Sequence, residues 1–266
     1  MKTDADTAVT YQQLYPQQWR SPIFNHPRSF WDDSYGLALN SHPAGKIVVF
    51  GLPKSGNVWL KSLLVDYFAM PPVEPMIDVG KPGIGLTHRP FDENVGNRPD
   101  FLHGVCIVRD PRDVIASFYK YTQTERFRSA RPEFHFDDEF SFYYDWFLSR
   151  SVPAHKFLIH SEQYARLGVP ILRYEALRAT PERELERLLL RWGLPVAAER
   201  IASAVSDNDI EKLRITGKTL EKVIAPEHFR RGGIGTFREE LSPAIVRDIE
   251  QRFARVLQRW GYEPSI

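Results

Sequence analysis

Several features that would direct the search for a function are scarce in this chain of 266 residues. Cys106 is the only cysteine, so no disulfide can form within the chain and an oxidising compartment is not implied. No apolar run approaches the ~18 residues of a membrane span, and the polar N-terminus lacks the apolar core of a signal peptide. The 35 basic and 34 acidic residues leave a net charge of +1, which does not indicate a nucleic-acid partner. We therefore expect a soluble cytoplasmic protein whose anion sites, if any, are local.

The composition and the apolar pattern are those of an α/β protein. Hydrophobic residues make up 42% of the chain and charged residues 26%, an ordinary globular balance. Short apolar runs predict strands at 46–50, 104–108 and 171–174, with amphipathic helical stretches between them. This alternation predicts a single domain over 46–266, with a central parallel sheet flanked by helices. The aromatic-rich residues 1–45 are predicted to form an arm packed on this core.

The segment Pro53–Trp59 carries the clearest functional signal. It joins a predicted strand to a predicted helix, and the backbone N–H groups and the dipole at a helix N-terminus favour an anion. Lys54 adds a point charge inside the loop. The magnesium-binding loop of nucleoside triphosphatases ends in Gly-Lys-Ser/Thr, whereas Gly56 is followed here by Asn57 and Val58. The loop therefore predicts a phosphate cradle without an obvious magnesium ligand; the alternative is an ordinary strand-to-helix turn.

Two further basic segments suit a phosphate. Arg109 ends a predicted strand, and parallel sheets bind ligands at the carboxyl ends of their strands; it could instead form only a helix-start ion pair with Asp113. Arg230 and Arg231 precede a glycine-rich run that ends at Gly235, where the backbone can approach an anion closely, although a solvated flexible loop would look the same. Together with the first loop, these segments suggest a ligand with two anionic groups far apart.

Five segments, in order, resemble the motifs of cytosolic-type sulfotransferases that use 3′-phosphoadenosine 5′-phosphosulfate (PAPS). They correspond to the family's 5′-phosphosulfate loop, catalytic histidine segment, 3′-phosphate segment, adenine-side tyrosine segment and C-terminal arginine–glycine motif: Pro53–Trp59, Thr87–Pro90, Val108–Ser117, Arg173–Leu177 and Arg230–Phe237. Their order and spacing hold over roughly residues 46–260. The resemblance implies the P-loop-like sulfotransferase fold.

The resemblance also implies a binding site for the donor. Lys54 and the backbone amides of residues 55–58 would hold the 5′-phosphosulfate, while Trp59 and Tyr174 would lie near the adenine. The 3′-phosphate would be bound by Arg109, Ser117 and the start of the C-terminal motif. The full set of implied donor-site residues is Lys54, Ser55, Gly56, Asn57, Val58, Trp59, Arg109, Ser117, Tyr174, Arg230, Arg231 and Gly232.

The catalytic residues implied by the resemblance are His88 and Lys54. A lone loop histidine is more often structural or simply exposed, but the family pattern makes His88 the general base, a role that suits a group with a pKa near neutrality. Lys54 would stabilise the charge that builds on the leaving phosphate oxygen. The predicted enzyme moves a sulfuryl group from PAPS to a hydroxyl of a small molecule, lipid or sugar, releases adenosine 3′,5′-bisphosphate (PAP), and requires no metal.

Several departures from the family pattern leave parts of this prediction open. Leu86 stands where the family commonly has a lysine, and the serine expected near the adenine would align with Ser206 or Asp209. The stretch 238–247 does not match the family's dimerisation motif, so no oligomeric state is predicted. The aromatic stretch 118–147 could line an acceptor pocket or could be ordinary helix core. An ATP-dependent P-loop kinase and a non-catalytic nucleotide-binding module are the alternative functions.

Overall fold

The computed structural model describes residues 45–78, 81–88, 101–148, 155–166, 168–216 and 232–265. The predicted N-terminal arm, apart from its last residue, lies outside this part of the chain. Arg230 and Arg231 lie outside it as well. None of the helices in the described ranges combines the length and the apolar character that a membrane span needs.

A five-stranded parallel sheet forms the centre of the structure, in the order β2-β3-β1-β4-β5. Its strands are β1 (Lys46–Phe50), β2 (Pro72–Val73), β3 (Gly83–Thr87), β4 (Phe101–Val108) and β5 (Ile171–Arg173). Every residue of β1 and β4 is buried, as expected for central strands covered on both faces. In register, Phe50 pairs with Thr87 on one side and with Cys106 on the other. The carboxyl ends of β1, β3 and β4 therefore meet at one edge of the sheet.

Helices cover both faces of this sheet. They are α1 (Asn57–Phe68), α2 (Pro111–Thr122), α3 (Glu125–Ala130), α4 (His155–Arg166), α5 (Tyr174–Ala179), α6 (Pro181–Arg191), α7 (Ala198–Asp207), α8 (Ile210–Thr216), α9 (Phe237–Glu240), α10 (Pro243–Arg252) and α11 (Ala254–Trp260), with a π-helical turn at Ser141–Phe147. On one face, Ile47 and Val49 pack in a core with α1. On the other, the ring of Phe50 stacks on Tyr164 of α4 at a centroid distance of 4.5 Å. The predicted α/β class with a central parallel sheet is confirmed.

The prediction was wrong in two local details. No strand was predicted where β2 and β3 lie, because Gly83 and Gly85 have low strand propensity. Tyr174, predicted as the last residue of a strand, instead begins α5. Near the C-terminus, α10 and α11 are separated at Phe253, which leaves helical geometry with φ −110° and ψ 21°.

Candidate active site

The loop between β1 and α1 contains residues with positive φ angles, among them Lys54 and Gly56. Lys54 has φ 73°, a left-handed conformation that is costly for a residue with a side chain. Gly56 has φ 95°, and a Cβ atom there would lie 2.5 Å from the ring of Tyr174. No side chain among the described residues caps the N-terminus of α1. Its first N–H groups therefore suit an anionic ligand.

Asn57 holds this loop closed from within. Its side chain is buried, and Nδ2 donates a hydrogen bond to the Leu52 carbonyl oxygen at 2.6 Å. The backbone N–H of Ser55 donates to the same carbonyl at 3.2 Å. Asn57 therefore braces the loop through its side chain.

Arg109, the first residue after β4, connects this loop to the glycine-rich segment near the C-terminus. Nη1 donates to the carbonyl oxygen of Lys54 at 3.0 Å, and Nη2 donates to that of Gly233 at 2.8 Å. The guanidinium also lies 4.5 Å from the ring centroid of Tyr174. The alternative interpretation of Arg109 also holds in part, because Nη2 is 3.9 Å from Oδ2 of Asp113.

Asp113 fixes the other side of the glycine-rich segment. Its fully buried carboxylate accepts hydrogen bonds from the backbone N–H groups of Gly235 at 2.7 Å and Phe237 at 3.0 Å. The hydroxyl of Thr236 donates to the same carboxylate at 3.3 Å. Asp113 in the first turn of α2 therefore determines where this distant segment lies.

Two aromatic residues close one end of the site. The hydroxyl of Tyr174 donates to the Gly232 carbonyl oxygen at 2.9 Å, and burial raises the pKa of this phenol, so it remains a donor. The indole N–H of Trp59 donates to the Asn208 carbonyl at 2.8 Å. The two rings meet edge to face with their centroids 6.2 Å apart. They form a rigid apolar wall of the kind that suits a planar ligand group.

A cavity of about 340 Å³ connects these groups. Ten of the predicted site residues line it: Lys54, Gly56, Asn57, Val58, Trp59, His88, Arg109, Ser117, Tyr174 and Gly232. Ser55 is buried and lines an adjacent small cavity of about 30 Å³ instead. Within the described ranges, no group of three or more His, Cys, Asp or Glu side chains is placed to hold a metal ion.

His88 follows β3 directly and lines both cavities. Its Nδ1 is 2.7 Å from the Gly51 carbonyl oxygen. Because a carbonyl only accepts hydrogen bonds, the neutral imidazole carries its proton on Nδ1 and presents a lone pair at Nε2. Desolvation by neighbouring protein atoms lowers the pKa of the imidazole, and the hydrogen bond to Gly51 opposes this shift only in part. His88 remains exposed to solvent, and in its neutral form Nε2 is the one basic nitrogen.

Comparison with known proteins shows the family of this chain. The sulfotransferase domain matches residues 101–261, more than half of the chain. The chain belongs to the sulfotransferase domain family. Among its relatives, cytosolic sulfotransferase 3 of Arabidopsis thaliana is 25% identical over 239 residues, covering 77% of this chain and 74% of the relative. Cytosolic sulfotransferase 13 of the same plant is 24% identical over 254 residues, with the same coverage.

Solved structures of sulfotransferases and of a retinol dehydratase share the fold. A mouse sulfotransferase complexed with PAP superposes with a TM-score of 0.64 at 17% identity, covering 86% of this chain and 91% of the mouse chain. Retinol dehydratase in complex with androsterone and the inactive cofactor PAP gives a TM-score of 0.60 at 14% identity, covering 81% of each chain. The P-loop-like sulfotransferase fold implied by the sequence resemblance is thus confirmed.

Sequence reasoning missed several residues of the cavity. Neither Ser206 nor Asp209 lines it; Asp209 instead accepts backbone hydrogen bonds at the start of α8, and Ile210 contributes to the wall. The remaining lining residues that were not assigned are Pro53, Phe118, Tyr121, Phe127, Gly233 and Thr236. The aromatic ones fall in the stretch 118–147, for which both a pocket wall and helix core were open. Phe118, Tyr121 and Phe127 belong to the wall, whereas Phe142 and Phe147 are core.

We expect Asp113→Asn to lower the free energy of unfolding by about 1–3 kcal/mol, the usual cost of leaving a buried hydrogen-bonding group without its partner. The amide would present N–H groups to backbone N–H donors on one side. Urea unfolding monitored by circular dichroism measures the loss. The matched control is Asp78→Asn, because the Asp78 carboxylate also accepts a backbone N–H, that of Glu74, and pairs with Lys81, but both contacts lie at the surface and contribute little. Equal stability of the two variants would contradict the anchoring role of Asp113.

Proposed function

We propose that this sulfotransferase moves the sulfuryl group of PAPS to a hydroxyl of an apolar small molecule. The observation that carries the proposal is that one cavity holds two cationic groups, Lys54 of the first loop and Arg109. The same cavity has an aromatic end formed by Trp59 and Tyr174. A nucleotide with anionic groups at both its 5′ and 3′ positions matches this distribution of charge and apolar surface.

The backbone around the cavity fits such a donor. Gly56 and Gly232 have φ of 95° and 56°, and side chains there would meet Tyr174 at 2.5 Å and Ile210 at 2.9 Å. Glycine at both positions lets the main chain approach a phosphate closely. We assign the phosphosulfate to Lys54 and the N-terminus of α1. Ser117, buried on α2, and Arg109 would bind the 3′-phosphate, together with Arg230 and Arg231, which the family resemblance adds.

His88 is the proposed general base. Its Nε2 would take the proton of the acceptor hydroxyl while the new oxygen–sulfur bond forms and the bond from sulfur to the phosphate oxygen breaks. The charge released on that phosphate oxygen would be stabilised by Lys54. Leu86 packs against the hydrophobic core and carries no charge. Among the described residues, Lys54 would therefore supply the positive charge that the family commonly takes from a lysine at the position of Leu86.

An apolar acceptor is favoured by the lining of the cavity beyond Lys54. Phe118, Tyr121 and Phe127 contribute aromatic surface there, whereas a sugar would require several hydrogen-bonding side chains. The structural relatives support the same class, since retinol dehydratase has been solved with retinol and with androsterone.

Binding of nucleotides to the proposed donor site is tested by thermal shift with PAP, AMP and ATP, all without magnesium. PAP at ~100-fold excess over its Kd should stabilise the protein by about 2.7 kcal/mol, and AMP at the same concentration by much less, because it lacks the 3′-phosphate. Ser117→Ala should weaken the binding of PAP but not that of AMP. Ser203→Ala, at an exposed position on α7 outside the cavity, serves as the control. Equal shifts for all three nucleotides would contradict the PAPS assignment, and a larger shift with ATP would favour a kinase.

The role of His88 is tested by the pH dependence of turnover. The base is active when neutral, so kcat/KM should fall as the pH drops through the pKa of His88, which lies below the ordinary value of 6.5. His88→Ala should lower kcat by about 10²–10⁴-fold and remove this acidic limb, while leaving PAP affinity near wild type. His135→Ala, at an exposed site outside the cavity, should change neither. An unaltered profile in His88→Ala would assign the base to another group.

The acceptor class is tested by comparing initial rates on a sterol, retinol, a simple phenol and a monosaccharide. The apolar alcohols should be preferred, and Phe127→Ala should raise the KM for the best of them several-fold, a larger factor than any loss of PAP affinity through its ring contact with Tyr121. Phe140→Ala is the control, because this exposed ring stacks on Tyr144 and does not line the cavity. A preference for the sugar would contradict the apolar assignment while leaving the donor assignment intact.

A further inference from the structure

We propose that Tyr121 is a positioning residue that holds the ammonium group of Lys54 inside the donor cavity. The Nζ atom of Lys54 lies 4.5 Å from the centroid of the Tyr121 ring, and both residues line that cavity. This inference rests on the proposed function, since it concerns how the cation that faces the phosphosulfate is held.

The two ends of the Lys54 side chain are fixed by different contacts. Its backbone is held in the left-handed conformation at φ 73°, and its carbonyl oxygen accepts a hydrogen bond from Arg109. Between the backbone and the charge lies a four-carbon stem with several rotatable bonds, and ordering such a stem is entropically costly. The face of an aromatic ring attracts an ammonium group and leaves its other side available to an anion. The ring of Tyr121 therefore gives the charged end of the side chain a fixed contact within the cavity.

Tyr121 itself belongs to a rigid support. It lies in the last turn of α2, and its ring contacts Phe127 of α3 edge to face at a centroid distance of 5.3 Å. The start of α2 is fixed by Asp110, whose side chain caps the helix. Ser117 and Tyr121 are four residues apart, so they share one face of α2 with a rise of about 6 Å between them. One helix therefore sets the spacing between a proposed 3′-phosphate contact and the cation at the 5′ end.

A double-mutant cycle on PAP affinity tests whether Tyr121 acts through Lys54. Calorimetry measures the affinity of PAP for the wild type, for the single variants Tyr121→Leu, Tyr121→Phe and Lys54→Met, and for the double variant that combines Lys54→Met with Tyr121→Leu. We expect Tyr121→Leu to weaken PAP about three- to tenfold and Tyr121→Phe, which keeps the ring face, to stay within about twofold. With Lys54 replaced, the loss of the ring should have no further effect.

A matched control lies on the same helix. Lys120 is placed over the ring of Tyr119 at 5.7 Å, and neither residue lines the cavity, so Tyr119→Leu should leave PAP affinity unchanged. Should Tyr121→Leu fold poorly, phenylalanines with increasing fluorine content at position 121 keep the shape while weakening the ring's attraction for cations. Affinity should then fall stepwise with each fluorine.

The results separate this proposal from the function on which it rests. Equal losses from Tyr121→Leu with and without Lys54 would overturn it, because the ring would then act directly on a ligand or through the fold. Tighter PAP binding by Tyr121→Leu would overturn it too, because the ring would then withdraw Lys54 from the donor. Failure of the wild type to bind PAP would overturn the donor assignment itself, and the positioning role with it.

Discussion

The cavity proposed to bind the donor depends on the turn between β4 and α2, where Arg109 and Asp113 bind the backbone of two other segments. Arg109 donates to carbonyl oxygens of the first loop and of the glycine-rich segment. Asp113 accepts from two backbone N–H groups of that segment. These loops are far apart in the chain, and irregular backbone needs partners wherever it is buried. This turn therefore fixes the first loop and the glycine-rich segment relative to each other.

The same turn accounts for a positive site in a chain of almost zero net charge. The carboxylate of Asp113 is occupied mainly by backbone N–H groups, and its distance of 3.9 Å from Arg109 is too long for a strong hydrogen bond. Arg109 is held instead by neutral carbonyl oxygens and by the ring of Tyr174. Its charge is therefore positioned mainly by neutral partners and is only partly compensated by the carboxylate of Asp113. Local anion binding follows from how each charge is partnered rather than from an excess of basic residues.

Much of this site was predictable from sequence because its signals are local. Neighbouring residues in the chain are enough to recognise an apolar strand, a loop lysine between glycines, or a helix start after Arg109. The missed features depend on contacts between distant segments. Gly85 lowers the strand propensity of the β3 sequence, yet a side chain at this position would meet the ring of Pro75 at 2.6 Å. Asp113 reads as an ordinary first-turn acid, and nothing in its neighbourhood along the chain indicates that it binds residues 235–237.

The loop that would hold the donor also orients the proposed base. The Gly51 carbonyl that binds Nδ1 of His88 belongs to the residue directly after β1, where the donor loop begins. Gly51 packs closely against the adjacent strand, because a side chain there would lie 2.7 Å from the Ile107 carbonyl oxygen. A shift of the loop would therefore displace both the phosphosulfate cradle and the basic nitrogen of His88. One short piece of backbone therefore connects the proposed donor loop to the proposed base, and its rigidity would favour a fixed approach of one to the other.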